Sequence, residues 1–136
     1  MGGRPYRVNL SSVPLVPGLR AEEGWLNMEV QFLVDERSAG ARRLLLGRTV
    51  FPPGAAHERH RHRAAEEFPV LLEGRGVGLA GDEEFPLEAG DVLFIPPGEW
   101  HGFRNTSDRP AVMLWGWGGA GSLEAAGYEA RPRGGP

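Results

Sequence analysis

Short apolar runs alternate with turn residues along most of the chain. Glycine and proline punctuate the runs, which read WLNMEVQFLV, RRLLLGRTVF, EFPVLLEG, GVGLAG, EEFPL, DVLFIPPG, HGFRN and AVMLWGW. Helical periodicity is almost absent, and only GSLEAAGY predicts one short helical turn near the end. Short strands at this spacing are typical of an antiparallel sandwich or barrel. The pattern therefore predicts an all-β fold.

The length of the chain sets its domain organisation. A chain of 136 residues with 40% hydrophobic residues can bury one real core, so we expect one domain. We expect the β-domain itself to span residues 25–118. Residues 1–24 are predicted as an N-terminal extension that forms an edge or swapped strand. Residues 119–136 are predicted as a short C-terminal segment that ends in a frayed tail, GYEARPRGGP.

Composition removes several classes of function. The formal net charge is -3, so the molecule has no overall attraction to nucleic acid or to an anionic lipid surface. There is no cysteine, which excludes disulfides and sulfur-ligated metals. The N-terminus lacks the continuous apolar run of a signal peptide, and no run approaches transmembrane length. We expect a cytoplasmic protein with neither a nucleic-acid nor a membrane partner.

Three of the four histidines fall within HERHRH, residues 57–62. In a strand the side chains alternate between faces, so His60 and His62 share one face. His57, at odd spacing, is predicted to lie at the rim or on the surface. Glu67 on a returning strand and His101 from a third strand could join the two imidazoles. Three imidazoles and a carboxylate suit Mn, Fe, Co, Ni or Zn. An octahedral ion with these four ligands keeps two positions open.

Other interpretations of the histidine segment remain open at this point. HERHR nearly matches the zinc-protease pattern H-E-x-x-H, but Arg61 occupies the last position and the context is strand-like. RHRHR could be a basic nucleic-acid patch, although nearby glutamates dilute it and aromatic residues do not interleave. The histidines could also be ordinary surface residues.

The chain resembles the cupins at two successive motifs. The first motif is filled by Gly54, His60, His62, Glu67 and Gly74, and the second by Gly90, Pro96, Gly98, His101 and Asn105. The resemblance covers about residues 54–105. It implies a single-domain cupin-type β-barrel, or double-stranded jelly roll. It also implies one divalent transition metal (Mn, Fe, Ni, Zn or Co) bound by His60, His62, Glu67 and His101, with Asn105 and the motif glycines and prolines in structural roles.

A substrate pocket is predicted beside these residues. Alternation places Met113, Trp115 and Trp117 on one face of the last strand, and Phe103 on the face of His101. These side chains would form an apolar wall above the metal, or else simply fill the core. Arg48 shares strand parity with Leu44, Leu46 and Val50 and could clamp a substrate carboxylate, unless it is a surface arginine. Gln31 and Asn27 are weaker candidates of the same kind.

Two functions follow from the resemblance. The first is a metalloenzyme that acts on a small organic molecule by dioxygenase-, decarboxylase- or isomerase-type chemistry. The alternative is a non-enzymatic module that binds or senses a small ligand. No second acid or base stands out near the motifs. If Glu67 faces inward, then Phe68, Val70 and Leu72 face the other way, and a strand that is apolar on both faces favours a homodimer.

Overall fold

The computed structural model describes residues 7–16 and 21–131, and strands predominate in them. The predictions for residues 1–6, 17–20 and 132–136 lie outside the described residues. The strands are β1 (Trp25–Leu26), β2 (Glu29–Val34), β3 (Leu44–Phe51), β4 (Ala56–Arg61), β5 (Glu66–Glu73), β6 (Arg75–Ala80), β7 (Glu83–Glu88), β8 (His101–Arg104), β9 (Ala111–Gly118) and β10 (Glu129–Ala130). Two short α-helices, α1 (Glu36–Ala39) and α2 (Leu123–Ala126), and 3-10 turns at Leu10–Ser12 and Ala21–Glu23 complete the chain.

The strands form two antiparallel sheets that face each other. One sheet has the order β2-β3-β9-β5, and the other has the order β1-β4-β8-β6-β7 with β10 also paired to β4. The predicted all-β fold is confirmed. The run DVLFIPPG, predicted as a strand, instead contributes single bridges to β5, in which Ile95 pairs with Glu67 and Val92 with Val70.

The core lies between the sheets because alternate residues of the strands point inward. On β9 the inward side chains are Met113, Trp115 and Trp117, all less than 9% exposed. Trp115 packs over Gly47 of the neighbouring β3, where an added Cβ would lie 2.2 Å from the indole. Glycine is therefore needed at position 47 to seat the Trp115 ring.

Asn105 has the structural role that the second motif implies. Its buried side chain donates to the carbonyl oxygens of Phe51 (2.8 Å) and Arg109 (2.7 Å), and its Oδ1 accepts from the backbone of Ser107 (3.0 Å). Gly74 of the first motif has φ of +83°, and an added Cβ would lie 2.8 Å from the oxygen of Pro110. These two residues fix turns beside the barrel strands.

The C-terminal segment differs from its prediction in part. The helical turn expected in GSLEAAGY is α2, which Ser122 caps through a hydrogen bond from the backbone of Ala125. The prediction of a frayed tail, however, is wrong for Tyr128–Arg131. Glu129 pairs with Arg61, and Ala130 with His60, in the β10–β4 register. Because Glu129 also accepts two hydrogen bonds from the Arg61 guanidinium, at 2.9 and 3.1 Å, the segment is fixed against the sheet.

The described part of the N-terminal extension lies along β2. Val16 forms a single antiparallel bridge with Val30. The side chain of Gln31 donates to the carbonyl oxygens of Leu10 (2.9 Å) and Val13 (2.7 Å). The swapped-strand arrangement stays a prediction.

Candidate metal centre

Four buried side chains converge inside the barrel. Each of His60, His62, Glu67 and His101 offers one ligand atom, and these atoms lie within 4.8 Å of one another. The four residues are between 2% and 8% exposed. The structure therefore brings together the four residues that the motifs single out.

The two sheets supply these side chains jointly. His60 on β4 lies directly opposite His101 on β8, and the two ring centroids are 4.2 Å apart. His62 follows the end of β4, and Glu67 projects inward from β5 in the other sheet. The cluster thus spans the space between the sheets, with three of its residues on strands and His62 one residue beyond the end of β4.

Backbone carbonyl groups orient all three imidazoles. The Nδ1 atom of His60 lies 2.8 Å from the oxygen of Glu58, that of His62 lies 2.7 Å from the oxygen of Gly127, and that of His101 lies 3.0 Å from the oxygen of Glu99. Because a carbonyl oxygen can only accept, each Nδ1 carries the proton. Each Nε2 is then left with its lone pair, as a metal ligand requires.

The free Nε2 atoms face a carboxylate. The Nε2 atoms of His101 and His62 lie 3.3 and 3.4 Å from Glu67 Oε1, respectively. Lone pairs that face one another in a buried site repel unless a cation, either a proton or a metal ion, lies among them. A donor set of three imidazoles and one carboxylate suits a borderline divalent transition metal. These residues therefore fit the metal that the resemblance implies.

The protonation states of the cluster favour a cation too. Burial alone would raise the pKa of Glu67. When a proton rather than a metal ion lies among these atoms, the charge of His101 and hydrogen bonds from His101 and His62 hold that pKa below its usual range. Burial opposes charge on His101, yet the Glu67 carboxylate raises the pKa of His101. Burial and the neighbouring imidazoles keep the pKa of His60 well below its usual value. His60 is therefore neutral at neutral pH, and Glu67 is ionised.

A cavity opens beside the cluster, and its walls are mainly apolar. Four of the five predicted pocket residues line it, namely Phe103, Met113, Trp115 and Trp117. Trp117 also contacts the cluster, because its indole Nε1 donates to Glu67 Oε1 at 2.7 Å. In the described part of the chain, no arginine lines the cavity.

The prediction for Arg48 is wrong. Arg48 does share a face of β3 with Leu44, Leu46 and Val50, but the side chains that point inward are those of the alternate residues, Leu45, Thr49 and Phe51. Arg48 instead donates to Gln31 Oε1 at 2.9 Å, outside the cavity. Asn27 and Gln31 are not among its lining residues either. Thr49 takes the inward position and accepts a hydrogen bond of 2.8 Å from Trp115 Nε1.

His57 and Tyr128 are two of the cavity residues that sequence reasoning missed. The β4–β8 register shifts between His57 and His60, and the resulting irregularity brings both imidazoles to the same face. The rings stack with centroids 3.5 Å apart, so His57 lines the cavity, contrary to the predicted rim position. Tyr128, predicted to lie in the frayed tail, also lines the cavity and bonds to His57 Nε2 at 3.0 Å.

No helix among the described residues is long and apolar enough to cross a membrane. The cytoplasmic location stays a prediction.

Comparison with known proteins identifies relatives. A family model described as a cupin domain matches residues 47–117. A dimethylsulfoniopropionate lyase of Ruegeria pomeroyi is 30% identical over 125 residues, which cover 91% of this chain and 78% of that protein. An oxalate-binding protein of Thermotoga maritima is 29% identical over 99 residues, which cover 73% of this chain and 80% of that protein.

A solved structure supports the fold. The crystal structure of a protein described as a predicted oxalate decarboxylase from Thermotoga maritima matches with a TM-score of 0.73 and 26% identity, covering 82% of this chain and 97% of that one. This chain spans 55% of the length of an uncharacterized protein of Methanocaldococcus jannaschii, to which it is 33% identical over the matched residues. The Thermotoga maritima structure therefore shares the fold of this chain.

Proposed function

The chain belongs to the cupin family, and we propose that it is a metal-dependent enzyme acting on a small organic molecule. His60, His62, Glu67 and His101 hold one divalent transition metal. The observation that carries the proposal is the set of three Nδ1–carbonyl bonds, which leave three Nε2 lone pairs facing a carboxylate beside an open cavity. Residues arranged in this way are positioned for a cation before it arrives.

The bound metal would supply Lewis-acid polarisation of substrate oxygens and, if it is redox-active, chemistry of the dioxygenase or decarboxylase type. The chain itself supplies the shape and dryness of the site. Phe103, Met113 and Trp115 surround the substrate body with apolar surface and exclude water. Because no arginine or lysine lines the described cavity, an acidic substrate has its carboxylate bound at the metal end.

Metal analysis tests the ligand assignment. Wild-type protein, His62→Ala and Glu66→Gln are purified in parallel and analysed for all transition metals. We expect about one equivalent in wild type and in Glu66→Gln, since Glu66 is an exposed neighbour on the opposite face of β5, and strong depletion in His62→Ala. Substoichiometric metal that is the same in all three proteins would overturn the assignment.

Turnover assays test the enzymatic part of the proposal. The metal-loaded protein is incubated with small carboxylic acids and phenols, including oxalate and dimethylsulfoniopropionate because relatives carry those names. Oxygen uptake, carbon dioxide release and product formation are followed. We expect turnover that His62→Ala abolishes. Binding of these compounds without turnover would contradict an enzyme.

A second candidate function is a non-enzymatic module that binds a small ligand. One feature of the cavity favours it. Among the described residues, the only carboxylate that lines the cavity is Glu67, which already belongs to the cluster. No further carboxylate is therefore available there as a general base. Saturable binding measured by calorimetry, with chemically unchanged ligand recovered afterwards, would support this alternative.

We also propose that the protein forms a homodimer through the outer face of the β2-β3-β9-β5 sheet. Five large apolar side chains of that face and its edge are exposed, namely Leu44 (51%), Phe68 (47%), Leu72 (49%), Val92 (62%) and Phe94 (64%). Exposed apolar clusters of this kind mark contact surfaces. A second copy of the chain offers the same surface, which a two-fold axis makes self-complementary.

A further inference from the structure

A second group of polar side chains lies in the cavity wall next to the metal cluster. Tyr128 is at its centre, because its hydroxyl group has three partners. The indole Nε1 of Trp25 lies 3.0 Å from the hydroxyl oxygen, and His57 Nε2 also lies 3.0 Å from it. The hydroxyl group itself donates to the carbonyl oxygen of Glu23.

The donors and acceptors in this group determine the tautomer of His57. A hydroxyl group has one proton and two lone pairs. The proton of the Tyr128 hydroxyl group is committed to the Glu23 carbonyl oxygen, which can only accept. The Trp25 indole can only donate, so it takes one lone pair. His57 must therefore donate from Nε2–H to the remaining lone pair, which leaves Nδ1 of His57 without a proton.

His57 thus has the opposite tautomer to the three cluster histidines. Nδ1 of His57 has no hydrogen-bond partner among residues 7–16 and 21–131. Since every buried side-chain polar atom of those residues has a partner, this unpaired nitrogen must be reachable by solvent. Stacking holds the ring in place, with centroids 3.5 Å from His60 and 5.0 Å from Trp25. His57 therefore offers a rigid, unpaired acceptor in a ring that lines the cavity.

We propose that His57 is a specificity-determining residue whose Nδ1 accepts a hydrogen bond from a hydroxyl or amine group of the ligand, with Tyr128 as its positioning residue. The proposal rests on the proposed function, since the ligand is bound at its other end by the metal. The ligand class is a small molecule that carries a metal-binding oxygen at one end and a hydrogen-bond donor farther along an apolar body.

The tautomer can be measured directly. Protein with ¹⁵N-labelled imidazoles is studied at neutral pH by long-range proton–nitrogen correlation, and His57 is assigned by the signals that disappear in His57→Asn. We expect His57 to be protonated at Nε2 and not at Nδ1. In Tyr128→Phe, the Nδ1-protonated form of His57 should appear. A wild-type His57 protonated at Nδ1, or no change in Tyr128→Phe, would overturn the positioning role.

Ligand selectivity tests the specificity role. Calorimetry with zinc-loaded protein compares 3- and 4-hydroxybenzoate with the matching fluorobenzoates, whose fluorine atom is close in size to a hydroxyl group but cannot donate. We expect about a fivefold preference for at least one hydroxyl compound, the size of one neutral hydrogen bond. Absence of this preference in wild type, including absence of any binding, would overturn the proposal.

Two substitutions at position 57 separate the nitrogens of the ring. In His57→Asn an amide group replaces Nδ1, so an acceptor remains and the preference should persist. In His57→Gln the amide group reaches the position of Nε2, so the contact with Tyr128 can remain, but the acceptor is lost and the preference should disappear. Equal selectivity in the two variants would contradict the role of Nδ1.

Failure here and failure of the proposed function can be told apart. The zinc content of the wild type is measured before calorimetry, and a protein that binds no zinc refutes the metal site. The tautomer of His57 is measured without any ligand, so it does not depend on the proposed function. Zinc binding with no preference for the hydroxyl compounds refutes only the role of His57.

Discussion

The indole Nε1 of Trp117 donates a hydrogen bond of 2.7 Å to Oε1 of Glu67, so an aromatic residue of the cavity wall holds the only carboxylate of the cluster. The same oxygen faces Nε2 of His62 and of His101. Trp117 therefore has two roles, since it forms part of the apolar wall and also orients Glu67. Loss of a hydrogen bond of this kind to a ligating group typically weakens metal binding by about 10- to 100-fold.

Trp117→Phe is expected to weaken metal binding by about 10- to 100-fold while leaving the four cluster residues in place. The ring and most of the apolar surface remain, but Glu67 loses its only indole donor. Competition titration with a chromogenic chelator measures the affinity. The matched control is Trp115→Phe, which removes an indole bonded to Thr49 rather than to Glu67. Equal effects of the two substitutions would show that Trp117 acts only by packing.

Metal should stabilise the fold, because the four side chains are brought together only in the folded chain. Zinc at about 100 times its dissociation constant should raise the free energy of unfolding by about 2.7 kcal/mol in wild type. His62→Ala should show little of this gain. Thermal denaturation with increasing zinc, and again after removal of zinc with a chelator, measures it. A zinc-dependent shift of the same size in His62→Ala would indicate that zinc binds elsewhere.

Gly47→Ala is expected to destabilise the protein by about 1–3 kcal/mol, because the added methyl group overpacks the core. Its Cβ would lie 2.2 Å from Cζ2 of Trp115, so the indole must move. Urea denaturation gives the change in stability. The control is Gly118→Ala on the neighbouring strand, where the nearest atom to an added Cβ is 3.7 Å away. Similar stabilities of the two variants would contradict the tight seat for Trp115.

The contact of the C-terminal segment should depend on pH through Glu129. Hydrogen bonds from Arg61 hold the pKa of Glu129 below its usual value. Desolvation opposes this effect, and a hydrogen bond from Arg63 adds to it. A carboxyl group whose pKa is lowered by folding contributes stability above its unfolded pKa, and this contribution is lost as the pH falls through the folded value. Protection of the Arg131 amide, which donates to the Arg59 carbonyl oxygen at 2.9 Å, should therefore decrease below the usual glutamate pKa.

Hydrogen exchange of the Arg131 amide, corrected for the intrinsic rate at each pH, measures this effect. At neutral pH, Glu129→Gln should increase exchange by about two- to fivefold, as expected for an exposed ion pair. The variant should also lose the acid dependence. Glu124→Gln, on α2 of the same segment, serves as the control. If the acid dependence persists in Glu129→Gln, another carboxyl group is responsible.

The two motifs predicted the meeting of the cluster residues because their spacing fixes which strands carry them. Local alternation also predicted that Met113, Trp115 and Trp117 share a face. For Arg48 the same rule gave the right companions but the wrong face, since parity alone does not say which face is inward. A strand with apolar residues at both parities, such as LLLGRTV, leaves that choice to tertiary packing.

His57 and Tyr128 could not be predicted, for a different reason. His57 reaches the cavity only because the pairing of β4 with β8 is irregular, and no residue in PPGAAHERH specifies that irregularity. Tyr128 meets His57 across 71 positions of sequence, through a short strand of two residues. Contacts of this kind depend on the whole fold and leave no local periodicity.

The proposed dimer predicts an effect of charge on the outer face of the β2-β3-β9-β5 sheet. Phe94 is 64% exposed and lies two residues from Val92 on the same edge of the sheet, so the two side chains point the same way. Phe94→Glu would place two like charges close together across a two-fold interface and remove apolar contact, so the dissociation constant of the dimer should rise at least about tenfold. Sedimentation velocity over a range of concentrations measures it, with Glu83→Arg on the opposite sheet as the charge-change control. A wild-type protein that sediments as a monomer, or a Phe94→Glu dimer as tight as the wild type, would refute the interface.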